Sequence, residues 1–239
     1  SLGRRFESCR GRMAVRSEVS IVVLRVAPVL LAADSLDVSM LDEHELARAA
    51  KRSDPSAFLT AHVLLRSLLA DHTGDPAGSF SFVRSCPTCG SDRHGKPMVD
   101  GRPDLHVSVS YGARLAVAAL SCDGPVGVDV EAISAAEFEG FDRVTLSSKE
   151  RDDLRSAALA GSDLLRARCR LWARKEAILK ATGHGLAIDP TQVVVSPPWS
   201  EAALVAWHAE VPRPEHLALS DVSVDDDHAV AVALCSPGV

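Results

Sequence analysis

The chain has 239 residues, 46% of them hydrophobic, 24% charged and 4% aromatic, with a formal net charge of −6. An acidic balance with few aromatics argues against nucleic-acid binding, which needs a basic face and stacking platforms. Six cysteines over this length are too sparse for a disulfide scaffold, so a reduced, cytoplasmic protein with one large or two small domains is expected.

Residues Ser1 to Arg16 are arginine-rich and irregular, with Met13 a candidate initiator inside them. Residues 1–17 are therefore expected to be a disordered or non-native leader. Val19 to Val26 follows as a first strand. The apolar run to Ala33 is broken by Arg25 and Pro28, and no run in the chain is long enough to span a membrane.

Asp42 to Lys51 is expected to be a helix with Leu46 and Ala50 inward. Asp54-Pro55 opens a second helix that runs to Gly74 and carries Phe58, Leu59, Leu64, Leu65, Leu68 and Leu69. Arg48, Arg52 and Arg66 along these helices are either solvated faces or cations that meet a phosphate. The guanidinium fork suits the second role.

Cys86-Pro87-Thr88-Cys89-Gly90, with His94 close behind, has the spacing of half a zinc knuckle but lacks a nearby fourth ligand. A turn with small, half-buried cysteines is the simpler account. Gly95-Lys96-Pro97 is a second turn. His106 to Ser110 and Leu115 to Leu120 alternate as two strands around a bend, and Asp123-Gly124-Pro125 marks a boundary.

The strand Gly127-Val128-Asp129-Val130-Glu131 puts two valines on one face and two carboxylates on the other. Such a pair is either a solvated face or half of a cation site. Ser147 and Glu150 have capping-box spacing at the start of a helix that continues to Ala160. Asp163 to Thr182 is a long helix stopped by Gly183, with Leu164, Leu171, Ile178 and Leu179 on its apolar stripe.

Glu176 and Lys180 are four apart on that helix and read in isolation as a surface ion pair. With Asp129 and Glu131, however, Glu176 completes an oxygen-rich set that suits Mg²⁺. Val193 to Val195, Ala203 to Glu210 and a hairpin from Leu217 to Leu234 close the chain. Asp225-Asp226-Asp227 sits at the hairpin tip as a solvated acidic turn.

The hairpin Val107 to Ala118 lines up with Val222 to Ala233 at a uniform offset, and the helix end Leu69–Gly74 resembles Ile178–Gly183. Two related halves follow, an N-terminal subdomain over 18–124 and a C-terminal one over 125–236 that carries the metal site. The fold class is α+β, a pseudo-twofold pair of similar α/β subdomains; the family that the motifs below resemble implies an active site in the cleft between them.

The pair of motifs Gly127–Glu131 and Trp172-Ala173-Arg174-Lys175-Glu176-Ala177-Ile178-Leu179-Lys180-Ala181-Thr182-Gly183-His184-Gly185 resembles the monomeric Sfp-type 4′-phosphopantetheinyl transferases. Gly95-Lys96-Pro97 matches that family's G-[KR]-P loop. Ser110-Tyr111-Gly112 stands at its S-H-S-G segment, with Tyr111 where a histidine is usual.

This resemblance implies an enzyme that moves the 4′-phosphopantetheine group of coenzyme A onto a serine of an apo acyl, peptidyl or polyketide carrier protein, releasing 3′,5′-ADP. Fatty acid, polyketide or nonribosomal peptide biosynthesis is the setting. The resemblance makes Glu176 the general base and Lys180 the stabiliser of leaving charge. Asp129, Glu131 and Glu176 become ligands of Mg²⁺, with Mn²⁺ an alternative.

Coenzyme A would meet Arg48, Arg52, Arg66, Gly95, Lys96, Pro97, Ser110, Tyr111 and Lys175. The acidic carrier would meet arginines such as Arg151, Arg155, Arg166, Arg168, Arg170 and Arg174. A monomer with no membrane or nucleic-acid partner is expected. The substitution at Tyr111 favours one alternative, a degenerate module that binds coenzyme A or a carrier without turnover.

Overall fold

The structure is a computed structural model that describes residues 12–16, 21–29, 36–87, 89–92, 94–112 and 114–236, with 12–16 and Ile21 described by backbone alone. Each half has the same plan: a strand, a helix, then a hairpin whose second strand inserts beside the first. In the N-terminal half these are β2 (Ile21–Pro28), α2 (Ser56–Thr73), β5 (His106–Tyr111) and β6 (Leu115–Ser121). In the C-terminal half they are β7 (Val126–Ala132), α5 (Gly161–Thr182), β10 (Leu217–Val222) and β11 (His228–Cys235).

The first sheet has the antiparallel order β1-β2-β6-β5-β4-β3, where β1 is Arg12–Arg16, β3 is Phe82–Ser85 and β4 is Lys96–Val99. The second has the order β10-β11-β7. A separate pair, β8 (Val193–Val195) and β9 (Leu204–Trp207), stands beside them. Arg12–Arg16 thus pairs with β2, although residues 1–17 were expected to stand outside the fold. The rest of that segment lies outside the described residues, as do Val19 and Ser20 of the expected first strand.

Side-chain alternation on the two central strands builds the layers. Leu115, Val117 and Ala119 of β6, with Val230, Val232 and Leu234 of β11, fill a core between the two sheets, joined by Val22, Leu24, Val126, Val128 and Val130. The opposite faces carry small residues under the helices. Ala116 and Ala118 lie beneath α2, and Ala229, Ala231 and Ala233 beneath α5. Small residues on the helix-facing side let each helix approach its sheet closely, while the branched residues supply the apolar area between sheets.

Both long helices stop at a left-handed glycine, Gly74 (φ 83°) and Gly183 (φ 80°), as their sequences foretold. The capping box of Ser147 and Glu150 is formed at the start of α4 (Ser148–Ser156). That helix ends four residues before Ala160.

Strand pairing breaks the uniform offset of the repeat. Val107 lies near the start of β5 opposite Leu120, whereas Val222 ends β10 opposite Val230. Helix α1 (Glu43–Ala49) is also rotated from its expected face. Glu45 and Ala49 are buried, while Leu46 is 42% exposed. The reason is electrostatic: Glu45 closes the α1 capping box with Asp42 and pairs with His62 and Arg66 beneath the helix.

Gly127 fixes the relation of β7 to α5. A Cβ there would lie 2.0 Å from the carbonyl oxygen of Ala177 and 2.3 Å from the nitrogen of Ala181. No other residue lets strand and helix touch at this point.

The repeat also relates two ion pairs. Asp129 lies opposite Ala231 on β11 and meets Lys180, three residues before the α5 stop. Arg25 lies opposite Ala118 on β6 and meets Asp71, three residues before the α2 stop. The pairs occupy matching places with their charges exchanged.

Candidate active site

Because Val128 and Val130 turn into the core between the sheets, Gly127, Asp129 and Glu131 turn toward α5. Helix and strand run past each other in opposite directions. Trp172 meets Glu131, Lys180 meets Asp129, and Ala181 meets Gly127. Trp172, Glu176 and Lys180 form an i, i+4, i+8 stripe above the two carboxylates. All of them line one cavity of about 690 Å³ between the halves, together with Lys96, Ser110, Tyr111, Arg48 and Arg84.

The charge balance is uneven. Lys180 Nζ lies 2.6 Å from Asp129 Oδ1 and donates to Ser110 Oγ at 2.9 Å, while Ser110 donates to the same Asp129 oxygen at 2.8 Å. Asp129 Oδ2 and Glu176 Oε1 are buried without a hydrogen-bond partner. Burial and then the charge of Asp129 push Glu176 up to about 7. The same two causes, in the same order, push Glu131 up to about 7, although Trp172 donates to it at 3.0 Å. Burial, the largest single influence, opposes the charge of Lys180, but Asp129, Glu176 and Glu131 together outweigh it, and the ammonium is held above its ordinary value.

Two unpartnered carboxylate oxygens beside a third carboxylate form a donor set that a hard divalent cation would satisfy. Their spacing is looser than a closed cage. Among the described residues, the group of three potential ligand atoms lying within 4.8 Å of one another is Cys86, Cys89 and His94, not the carboxylates. One Asp129 oxygen is engaged by Lys180 instead. A site that keeps waters and borrows substrate oxygens tolerates this spacing.

At the other end of the cavity the groups are cationic and aromatic. Arg48 lines the cavity, and its guanidinium carbon sits 5.5 Å from the Phe58 ring centre. Arg52 stacks closer, at 4.1 Å, and donates to Tyr111 Oη at 3.3 Å. Arg52 faces an adjoining cleft of about 680 Å³, which it shares with Arg48, Lys51 and Arg84. Burial and then the charge of Arg48 lower Arg84 to about 10. A cluster of guanidinium groups with too few carboxylates is a ready anion site.

Two expected coenzyme A ligands lie elsewhere. Arg66 is fully buried and holds Asp42, Glu45 and the carbonyls of Ala77 and Phe80. Lys175 is fully buried and donates to Glu150 at 2.6 Å and to the carbonyls of Thr145 and Pro190. Both are structural cations with every donor engaged, so neither is free to meet a phosphate.

Lys96 lines the cavity, but its ammonium donates to the carbonyls of Val126 and Lys180. It fastens β4 to the C-terminal half, and burial lowers it to about 8. Gly95, Pro97, Ser110 and Tyr111 also line the cavity. Among the arginines expected to face a carrier, Arg174 is fully buried against Asp221 and Arg168 pairs with Asp142.

Four cavity residues escaped sequence reasoning in these roles: Arg84, His62, Phe58 and Trp172. Trp172 had a signal, its place one and two turns before Glu176 and Lys180. Arg84 had none, because its place depends on β3.

The profile of the 4′-phosphopantetheinyl transferase superfamily matches residues 125–233. The chain is 28% identical over 183 residues to the 4′-phosphopantetheinyl transferase HetI of Nostoc sp., covering 69% of this chain and 73% of that protein. It is 30% identical over 139 residues to a 4′-phosphopantetheinyl transferase of Bacillus subtilis, covering 57% of this chain and 56% of that one. The crystal structure of a holo-(acyl-carrier-protein) synthase from Bacillus anthracis in complex with CoA (3′,5′-ADP) aligns with a TM-score of 0.41 and 23% identity, over 48% of this chain and 96% of that chain.

Proposed function

We propose that the chain, whose residues 125–233 match the 4′-phosphopantetheinyl transferase superfamily, transfers the 4′-phosphopantetheine group of coenzyme A to a serine of an apo carrier protein. One observation carries this assignment. Asp129, Glu131, Glu176 and Lys180 meet in one cavity that Arg48, Arg84 and Tyr111 also line. A cation-ready carboxylate cluster facing a guanidinium cluster across a cleft suits a bent, multiply phosphorylated nucleotide.

Arg48 and Arg84, with Arg52 from the adjoining cleft, take the 3′-phosphate and the nucleotide end. The Phe58 and Tyr111 rings flank them at this wall. The pantetheine pyrophosphate lies toward Lys180. Asp129, Glu131 and Glu176 would hold Mg²⁺, or Mn²⁺ in its place, which when bound neutralises pyrophosphate charge.

The carrier serine oxygen forms the new bond to the β-phosphorus while the bridging P–O bond breaks. The electron pair leaves with 3′,5′-ADP. Glu176, its Oε1 unpartnered and its carboxyl held near 7, takes the serine proton directly or through a water. Lys180 remains charged throughout and faces the departing phosphate oxygen. Such a protein works as a monomer in the cytoplasm, where coenzyme A and carriers of fatty acid, polyketide or nonribosomal peptide synthesis are found. No helix among the described residues is long and apolar enough to cross a membrane.

The test is intact-protein mass spectrometry of apo carriers of several classes after incubation with the chain, coenzyme A and Mg²⁺, with and without EDTA. A metal-dependent gain of one phosphopantetheine group is expected. No gain on any carrier, with coenzyme A still bound, would instead identify the non-catalytic binding module.

A further inference from the structure

We propose that Cys86, Cys89 and His94 bind one zinc ion, separate from the carboxylate site and independent of the transferase assignment. Their ligand atoms lie within 4.8 Å of one another, and Cys89 Sγ is 3.3 Å from His94 Nε2. A tetrahedral zinc with Zn–S near 2.3 Å and Zn–N near 2.0 Å sets its ligand atoms about 3.5–3.8 Å apart. Cys86 Sγ adds a third vertex to the Cys89–His94 contact.

The backbone is shaped to hold that vertex. Gly90 takes φ 70° and returns its N–H to the Cys86 carbonyl at 2.8 Å, and the Cys86 N–H donates to the Ser91 carbonyl at 2.9 Å. This tight turn brings both sulfurs to one side. Gly95 takes φ 108°, and a Cβ there would lie 2.6 Å from the Ser85 carbonyl oxygen, so the chain beside His94 is pressed against the end of β3. Two thiolates and an imidazole select zinc over magnesium, and a water completes a three-ligand zinc.

The ion would clip the loop between β3 and β4 at its base, since Ser85 pairs with Lys96 there. Lys96 in turn ties this hairpin to Val126 and Lys180. Cys86 and His94 also line the cavity of about 690 Å³ that holds the carboxylates. The zinc therefore braces the wall of the cavity and does not take part in the transfer.

Zinc content decides the matter without reference to activity. The full chain is purified in reductant without chelator, dialysed against zinc and then against buffer, and its zinc is measured by inductively coupled plasma mass spectrometry. About one zinc per chain is expected for the wild type, and about tenfold less for Cys89→Ser and for His94→Ala. Both substituted side chains are exposed, so folding is not at stake. Cobalt added to the reduced, zinc-free wild type should give a thiolate-to-cobalt charge-transfer band that Cys89→Ser lacks. A wild type that retains no zinc and gives no cobalt band overturns the proposal, as does undiminished zinc in both variants.

Discussion

Lys180 grips a single oxygen of Asp129, 2.6 Å away, and leaves the other buried oxygen of that carboxylate without a partner. The free oxygen is the one that the proposed Mg²⁺ would engage. Asp129→Asn keeps the shape and the Ser110 contact but removes the charge. Transfer should fall by about 10²–10³-fold, the usual loss when one preorganised charge leaves a dry site. Because Asp129 is buried against Lys180, the unfolding midpoint should fall too, so turnover is compared at a temperature where the variant is folded. Turnover near wild type in the mass-spectrometric assay would remove Asp129 from the metal site.

Stability should respond to pH through Glu176 and Glu131, both held near 7. Unfolded, these groups titrate near 4.3. Between the two values the folded chain binds more protons than the unfolded one, so metal-free stability falls as pH rises from about 4.3 to 7. Mg²⁺ binds the ionised forms and should therefore raise Tm more at pH 8 than at pH 5.5. Calorimetry of the wild type and Glu176→Gln, each with Mg²⁺ and with EDTA, separates this effect from the other carboxylates. A Mg²⁺ shift that is equal at both pH values in the wild type would contradict it.

Gly127→Ala introduces a methyl 2.0 Å from the Ala177 carbonyl oxygen. Helix and strand must separate, at a cost of about 1–3 kcal/mol. Because the same contact sets Lys180 over Asp129 and Trp172 over Glu131, activity should fall as well. A lowered urea midpoint together with reduced kcat is expected. Retention of both would mean that α5 is not positioned by this contact.

Arg66→Ala and Lys175→Ala should act on folding, not on coenzyme A. Each leaves a buried carboxylate without its main cation, Glu45 in one case and Glu150 in the other, at about 3–5 kcal/mol. Thermal scans should show a large drop in Tm. At a temperature where each variant is folded, its KM for coenzyme A should match the wild type; a raised KM with unaltered Tm would restore their phosphate roles.

Arg48→Ala should do the reverse. It removes a half-buried cavity guanidinium that has no salt bridge among the described residues. The KM for coenzyme A should rise about tenfold, as expected for a charge-assisted hydrogen bond of about 1.5–3 kcal/mol, while Tm stays put. The 3′-dephospho analogue should lose less on the same substitution, and equal losses for both nucleotides would place Arg48 away from the 3′-phosphate.

Local chemistry was legible in the sequence. The glycine stops of α2 and α5, the Ser147–Glu150 capping box and the alternation of β7 each depend on neighbours within a few residues. Asp129, Glu131, Glu176 and Lys180 could be grouped because two motifs carried them. Which arginines and lysines stay free could not be read, since that depends on distant partners. Lys175 and Lys180 lie on the same helix five residues apart, yet one is buried on Glu150 and the other opens onto the cleft. Helix α1 was misrotated for a related reason. Its buried position is a glutamate, which apolar periodicity scores as surface.

On the proposed assignment of Asp129 and Lys180, the exchanged ion pairs leave such a chain one transfer centre. Two identical copies of one half, docked face to face, would generate two equal seams and so two equal centres. Here the seam of β2 and α2 offers Arg25 where the other offers Asp129, and Asp71 where the other offers Lys180. An arginine on the strand repels the divalent ion that an aspartate attracts, so the duplicated seam is barred from the chemistry by sign alone. Joining the halves in one polypeptide frees the idle seam from that work, and titration with coenzyme A should saturate at a single equivalent.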